Sequence, residues 1–347
     1  MGMRAFLIRR ILLVIPTLVG VTLLIFAVLQ FFSPEQRAVI LMSKPGANIH
    51  DVVREFGLDQ PVWVQYANWM KQILRGDLGW SNSINMSVKD VILTRWPATA
   101  ELVLFSAPII ILLGIYLGIK SAVHRDKPLD HATRVASIIG WSLPSFWFGT
   151  ILLAIFWGGL HWITRGQLTT DATLYIDLSK AAATPYFFKY TGFVTIDSLL
   201  NGQLWITLDA IEHLILPAAV LIVIQIALII RLMRSSMLES LNKPFVIMAR
   251  AKGLAQNEVI NKHARRTALI PAITMSGLLI AGMLNGLVIT ETIFGIPGLG
   301  NWAATAAIQL DIAAVLGFAL FSGVIFVFSN LIVDILYAYV DPRIRLD

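Results

Sequence analysis

Few side chains in this sequence are spaced for chemistry. Six histidines stand at 50, 124, 131, 161, 213 and 263. None belongs to an H-E-x-x-H or any other paired metal spacing, so each reads as a surface or interfacial residue rather than a ligand. No G-x-x-x-x-G-K-[ST] is present, so the chain has no P-loop with which to bind ATP. Ser240-x-x-Lys243 fits a nucleophile pattern, but it stands beside a basic loop, and four-residue matches of this kind arise by chance. There is no G-x-S-x-G and no convincing acid pair inside an apolar run. With no cysteine, disulfides and thiolate sites are excluded. The expectation is a protein without catalytic residues, without a metal site and without a cofactor of its own.

What the chain does carry is a basic, amphipathic stretch from Phe245 to Pro271, set between two apolar runs. Asn242 followed by Lys243-Pro244 is a helix-start pattern, with proline in the first turn where its missing N–H does no harm. Helix-favouring residues run to Lys252. Gly253 then supplies a positive-φ residue to close that helix, and Asn257-Glu258 cap and begin a second. The spacing predicts helix, turn and helix on a membrane face, a form suited to being gripped by another protein. The same charge is also what the charge-orientation rule gives a cytoplasmic loop touching anionic lipid.

The elements around this stretch are apolar. The chain is 57% hydrophobic and 14% charged, with a mean hydropathy of +0.74. A soluble chain carries about 25% charged residues, so this is an integral membrane protein. Six runs reach the roughly 20 residues a span needs: 8–31, 99–122, 132–160, 213–236, 270–293 and 312–338. The first, preceded by Arg4, Arg9 and Arg10, is too long for a signal-peptide core and lacks a small-residue cleavage site, so it stays as a span. With both termini inside, the cytoplasmic side holds 17 of the 27 Lys+Arg and 7 of the 21 Asp+Glu. That gives +10 inside and −4 outside, mostly through short loops, where the orientation rule applies. Topology thus accounts for the net +6, and nucleic-acid binding loses its motive.

The domain reading is a tail and first span over 1–32, an extracytoplasmic loop with short helices over 33–98, and a core with five spans over 99–347. That core includes an extracytoplasmic insert, 161–212, without strong periodicity, and the loop 238–270. In the first outer loop, Asp59 and Pro61 open a helix whose stripe of Val62, Tyr66, Trp69, Met70 and Ile73 suits packing. Gly114-x-x-x-Gly118 offers a small-residue face. Glu101 reads as interfacial, and His124 to His131 as a plain connector. Pro144 reads as a static kink in the third span, with a gate hinge as the alternative. Arg231 and Arg234 read as interfacial anchors. In the fifth run, Met275, Leu278, Gly282, Asn285 and Ile289 share a helical face. Ser276, Met275 and Asn285 are candidates for a polar route, against a helix–helix hydrogen bond for Asn285. Glu291, Pro297, Gly298 and Gly300 lie in a tight outer turn. There Glu291 either meets a substrate or delivering protein or caps the turn, and capping suits it better.

Several strings together resemble one family. They are Ala249-Arg250-Ala251-Lys252-Gly253-Leu254 with His263-Ala264 beyond it, G-L-D-Q-P at Gly57 to Pro61, and G-D-L-G-W-S at Gly76 to Ser81. To these add S-L-P-S-F-W-F at Ser142 to Phe148, R-x-x-R-S-S-M at Arg231 to Met237, T-E-T-I-F-G-I-P-G-L-G at Thr290 to Gly300, and the end of the sixth span with Asp341-Pro342-Arg343. The chain resembles the B-type membrane subunit of ATP-binding-cassette importers of the dipeptide/oligopeptide/nickel permease family. It departs at Ser33-Pro34-Glu35, where the family commonly has Gly-Asp-Pro, and at Arg265, where it has an apolar residue. The resemblance implies an all-α, six-span type I importer fold in a prokaryotic cytoplasmic membrane. It implies that Ala249 to Leu254 with His263 form a coupling helix docked on a cytoplasmic ATPase. The implied partners are a second, homologous permease, two ATPases that bind ATP and Mg, and an extracytoplasmic solute-binding protein. Peptide is the implied cargo, with oligosaccharides, nickel complexes or glutathione as alternatives. A stand-alone secondary transporter is the competing class, but it would want inverted repeats and midplane carboxylates, and neither is seen.

Overall fold

The structure, a computed structural model, describes residues 3–44, 46–182 and 185–340. Asp341-Pro342-Arg343, part of the C-terminal motif, lies outside the described residues. The fold is helical throughout, apart from a two-residue antiparallel pair, Trp80–Ser81 with Met86–Ser87.

Helix α1 (Met3–Leu29) is a candidate span whose side chains from Ile8 onward are mostly exposed. It is followed by α2 (Pro34–Leu41), α3 (Ile49–Phe56) and α4 (Val62–Leu74). Ser33, at the point of departure from the family pattern, makes a full capping box with Gln36 and starts α2. Asp59 donates no cap to α4; Pro61 stands at its N-cap without a side-chain bond, its fixed φ pre-setting the first turn. The predicted stripe packs as expected through Tyr66, Trp69, Met70 and Ile73, while Val62 stays exposed. Phe26 of α1 meets Tyr66 and Trp69 at ring distances of 5.3 and 5.6 Å, and Thr22 bonds Tyr66 at 2.9 Å. The outer helices are thus a cap on α1 and on the last span, sharing one apolar core with them.

Two very long helices form the axis. α5 (Val88–Val123) has 36 residues and α10 (Leu204–Leu241) has 38. At 1.5 Å per residue each is about 55 Å long, well beyond a hydrocarbon core of about 30 Å. Both therefore project past the runs read from sequence. Gly114 and Gly118 make the contact between them, because a Cβ on either would lie 2.7–2.8 Å from Ile229 or Met233. The third span is not one kinked helix. α6 (Pro128–Ser142) and α7 (Ser145–Leu153) are separate helices bent by 94° at Leu143-Pro144, since proline removes a backbone donor and clashes with the preceding turn. A π-helical turn, Ala154–Gly159, follows α7.

The insert contains α8 (Thr170–Ala181) and α9 (Val194–Leu200). Beyond α10 come α11 (Pro244–Ala251), the short α12 (Gln256–Glu258), a π-helical turn Val259–Ala264, and α13 (Arg265–Leu284). The fifth run is broken after Leu284. Asn285-Gly286-Leu287 interrupts it before α14 (Val288–Phe294), then α15 (Leu299–Ile308) leads to the final span α16 (Ile312–Val340). Among the described residues, five helices are long and apolar enough to cross a membrane, or six if the bent α6–α7 pair is one broken span.

Candidate functional site

The basic stretch folds as a helix and a turn braced against the ends of α5, α10 and α13. Lys243, not Asn242, occupies the N-cap of α11, with Pro244 at its first position; Asn242 instead closes α10, donating to the Leu238 carbonyl at 3.1 Å. Gly253 has φ +80 and its N–H bonds the Arg250 carbonyl at 2.9 Å, so the chain reverses in a left-handed conformation open to glycine. The next helix starts from Ala255 without a side-chain cap, in place of the expected Asn257-Glu258, because Glu258 is drawn to Lys262 at 2.5 Å.

One face of α11 is anchored and the other is free. Val246 and Ala249 are buried against Met233 and Met237 of α10 and against Val259, Ile260 and Ala264. Phe245, Ile247 and Met248 are exposed, as are Arg250, Ala251, Lys252, Gly253 and Leu254; His263 is half-buried in the π-helical turn. Large apolar side chains set between cations and lying off the spans make a surface suited to a protein groove. The buried face packs on both α10 and the α12–α13 segment, so α11 touches two long helices at once.

A polar cluster beside this face went unread in the sequence. Asp130, buried at the start of α6, accepts from Arg234 Nε and Nη2, both at 2.7 Å, from Ser121 at 2.5 Å and from the Asp126 N–H at 3.1 Å. Arg234 is therefore a bidentate tie between α10 and the α5–α6 connector rather than an interfacial anchor, and that connector is more than a tether. Arg231 stacks over Trp141 at 4.9 Å. A partner 104 residues away leaves no local signal, whatever the spacing.

The route candidates lie along α13. Ser276 is buried with its hydroxyl turned back to the Ala272 carbonyl at 2.7 Å. Met275 is half-buried against the central core. Asn285 closes α13, donating to the Ala281 carbonyl at 2.9 Å, while its Oδ1 is buried without a partner among the described residues. Leu278, Gly282 and Ile289 of the same stripe are exposed, and Ile289 sits beyond the break in α14.

At the opposite end of α13, in α14, Glu291 is fully buried. It accepts from Thr99 Oγ1 at 2.7 Å, from the Asn301 N–H at 2.9 Å and from the Leu287 N–H at 3.3 Å. Thr99 in turn accepts from the Leu299 N–H at 2.9 Å. The carboxylate thus binds the turn to α5. A Cβ at Gly298 would fall on the Glu291 carboxylate, and one at Gly300 would lie 2.6 Å from the Val288 nitrogen, which is why this turn needs both glycines. Pro297 is half-buried. The insert locks onto the same place: Arg165 donates to the carbonyls of Thr292 and Ile293, and the Gly166 N–H to Phe294. Glu101 is buried rather than interfacial, accepting from Gln167 and from the Thr195 backbone and hydroxyl.

Two family matches cover nearly the whole chain. Residues 110–346 match the family described as binding-protein-dependent transport system inner membrane component, and residues 3–103 match its N-terminal counterpart. The chain belongs to this family. Its relatives include the dipeptide transport system permease protein DppB of Escherichia coli (strain K12), 37% identical over 347 residues and 99% of each chain. The di/tripeptide transport system permease protein DppB of Pseudomonas aeruginosa (strain UCBPP-PA14) is 38% identical over the same coverage. The oligopeptide transport system permease protein AppB of Bacillus subtilis (strain 168) is 35% identical over 99% of this chain and 100% of its own. As a family member the protein is a membrane-embedded component of an importer that works together with other subunits. Among the described residues, no group of three or more His, Asp or Glu side chains is gathered to hold a metal ion.

Proposed function

We propose that this chain is the permease subunit that forms half of the translocation pathway of an ATP-driven peptide importer. The observation that carries the reading is α11: an exposed apolar and cationic face held off the membrane spans, with its opposite face packed on α10 and on the segment leading into α13. Arg250 to Leu254 and His263 form the seat on one of two cytoplasmic ATPases, which bind ATP and Mg, with Ala249 anchoring the seat from the buried face of α11. Closure of the ATPase pair moves α11, and α10 and α13 carry the motion to the pathway. Such coupling is a linkage between distant sites through two states of the bundle. A second, homologous permease covers the exposed stripe Leu278, Gly282 and Ile289, so that Met275, Ser276 and Asn285 lie towards the shared route. An extracytoplasmic binding protein delivers cargo at the face bearing the turn Glu291 to Gly300. Both termini lie in the cytoplasm of a prokaryote, and lipid surrounds α1 and α16. Peptide is assigned as cargo because the relatives named above are di-, tri- and oligopeptide permeases.

The test is purification of the tagged chain from its native membrane in mild detergent, with mass spectrometry of what accompanies it. A second permease and ATPases at near-equal amounts are expected, and peptide uptake in proteoliposomes should require ATP and the binding protein. A homogeneous chain that transports without ATP overturns the reading.

A further inference from the structure

One half-open cavity is lined by none of the route candidates. It holds about 490 Å³, within the roughly 300–1,000 Å³ of small-molecule sites, and lies between the outer half of α5, the insert helices α8 and α9, and Pro297. Its walls are apolar through Ala98, Ile176, Phe187, Phe188 and Val194. Its charges are uneven: Arg95, Lys180 and Lys189 line it against a single carboxylate, Asp197.

Those charges differ in how far they are already engaged. Asp197 is buried, and both its oxygens are taken, Oδ1 by the Thr191 backbone and hydroxyl at 2.8 and 2.7 Å and Oδ2 by the Gly192 N–H at 2.9 Å. Lys180 is paired with Asp177 at 2.8 Å on the outer surface. Glu101, the other carboxylate nearby, is spent on Thr195 and Gln167. Arg95 is half-buried, and among the described residues no hydrogen bond or ion pair engages its guanidinium; the same holds for the exposed Lys189. A half-buried guanidinium with five donors and no acceptor calls for an anion of planar, two-oxygen geometry, since carboxylate matches its fork. The apolar walls call for a body attached to that anion.

We infer that this cavity is a peptide-carboxylate site, in which Arg95, supported by Lys189, holds the C-terminal carboxylate of a short peptide and Phe187, Phe188 and Ile176 pack its last side chain. The inference rests on the proposed peptide cargo but not on the coupling mechanism. Its place beside the Glu291 turn makes it a waiting site at the outer mouth.

The test is calorimetric titration of the full-length chain in nanodiscs with the dipeptide Ala-Phe and with its C-terminal amide. Ala-Phe should bind, and the amide should bind about tenfold to a hundredfold more weakly, the loss expected for one charge-assisted hydrogen bond. Arg95→Gln should weaken Ala-Phe by the same factor without changing the amide, and Arg95→Lys should restore part of it. Equal binding of acid and amide, no change in R95Q, or displacement of Ala-Phe by raising the phosphatidylglycerol content of the disc would each overturn it, the last by assigning the cavity to a lipid phosphate. Co-purification of the ATPases with R95Q separates the two ideas: their presence alongside lost acid selectivity leaves the importer reading standing, and their absence from wild type with selectivity retained leaves only the site.

Discussion

At the scale of single residues, burial decides what a charged side chain does here. Glu291 and Asp130 place their carboxyl groups out of water, and each is tolerated because donors are already arranged around it. Glu291→Ala would strip acceptors from the Thr99 hydroxyl and from the Leu287 and Asn301 N–H groups. It is expected to cost about 2–5 kcal/mol, read as a lowered Tm in detergent. Glu291→Gln keeps an acceptor and should cost less. Asp130→Ala abandons Arg234, whose side chain is 19% exposed and so retains some hydration. A loss of about 2–3 kcal/mol is expected, reduced when Arg234→Met is added, because the pair then disappears together. A double mutant no better than the single would show that the tie between α10 and the α5–α6 connector does not carry that energy. Both carboxylates were visible as letters in the sequence. Their partners were not, since each network closes over 100 residues or more.

At the scale of elements, the long helices act as levers and the breaks as joints. α10 reaches from the insert on one side to α11 on the other, and its fit to α5 depends on close approach at Gly114 and Gly118. Gly118→Val is therefore expected to separate the pair, costing about 1–3 kcal/mol and lowering the amount of folded protein recovered from membranes. Gly253 sits in open space, with nothing within 4 Å of where a Cβ would stand. Gly253→Val thus meets no clash, only the penalty of a branched residue at φ +80, about 1–2 kcal/mol. The chain should remain in the membrane at near-normal amounts while ATP-dependent uptake is lost, and Gly253→Asn should retain part of it. Normal uptake by the valine variant would end the assignment of this turn to coupling. The 94° bend at Leu143-Pro144 shows the limit of a pattern argument. Proline in an apolar run signals a disturbance, but whether the chain kinks or starts a new helix is settled by what α6 and α7 pack against.

At the scale of the whole molecule, orientation makes the sharpest prediction, because the chain lacks cysteine and needs no background removed. A cysteine in place of Lys252 should react with an impermeant maleimide only in inside-out vesicles, and one in place of Lys189 only in intact cells stripped of their outer barrier. The reverse pattern would invert the assignment of faces. The molecule's three larger cores join α1 to the helices that follow it and to α16, the middle of the bundle, and α11 to the ends of α10 and α13.

The amino-acid sequence by itself determined that the chain lives in a membrane, which runs are long enough to span, which loops are basic and where a glycine ends the helix in the basic stretch. These follow from local quantities: run length, charge count and the φ preference of glycine beside a helix end. Only the tertiary structure decided that the 161–212 insert is a clamp on the Glu291 turn, that Glu101 and Glu291 are buried acceptors, that Arg234 answers Asp130, and that the Arg95 guanidinium faces a cavity whose one carboxylate, Asp197, is already engaged. The physical reason is that burial and pairing depend on which surfaces meet. In a bundle those meetings are fixed by helices far apart in the chain.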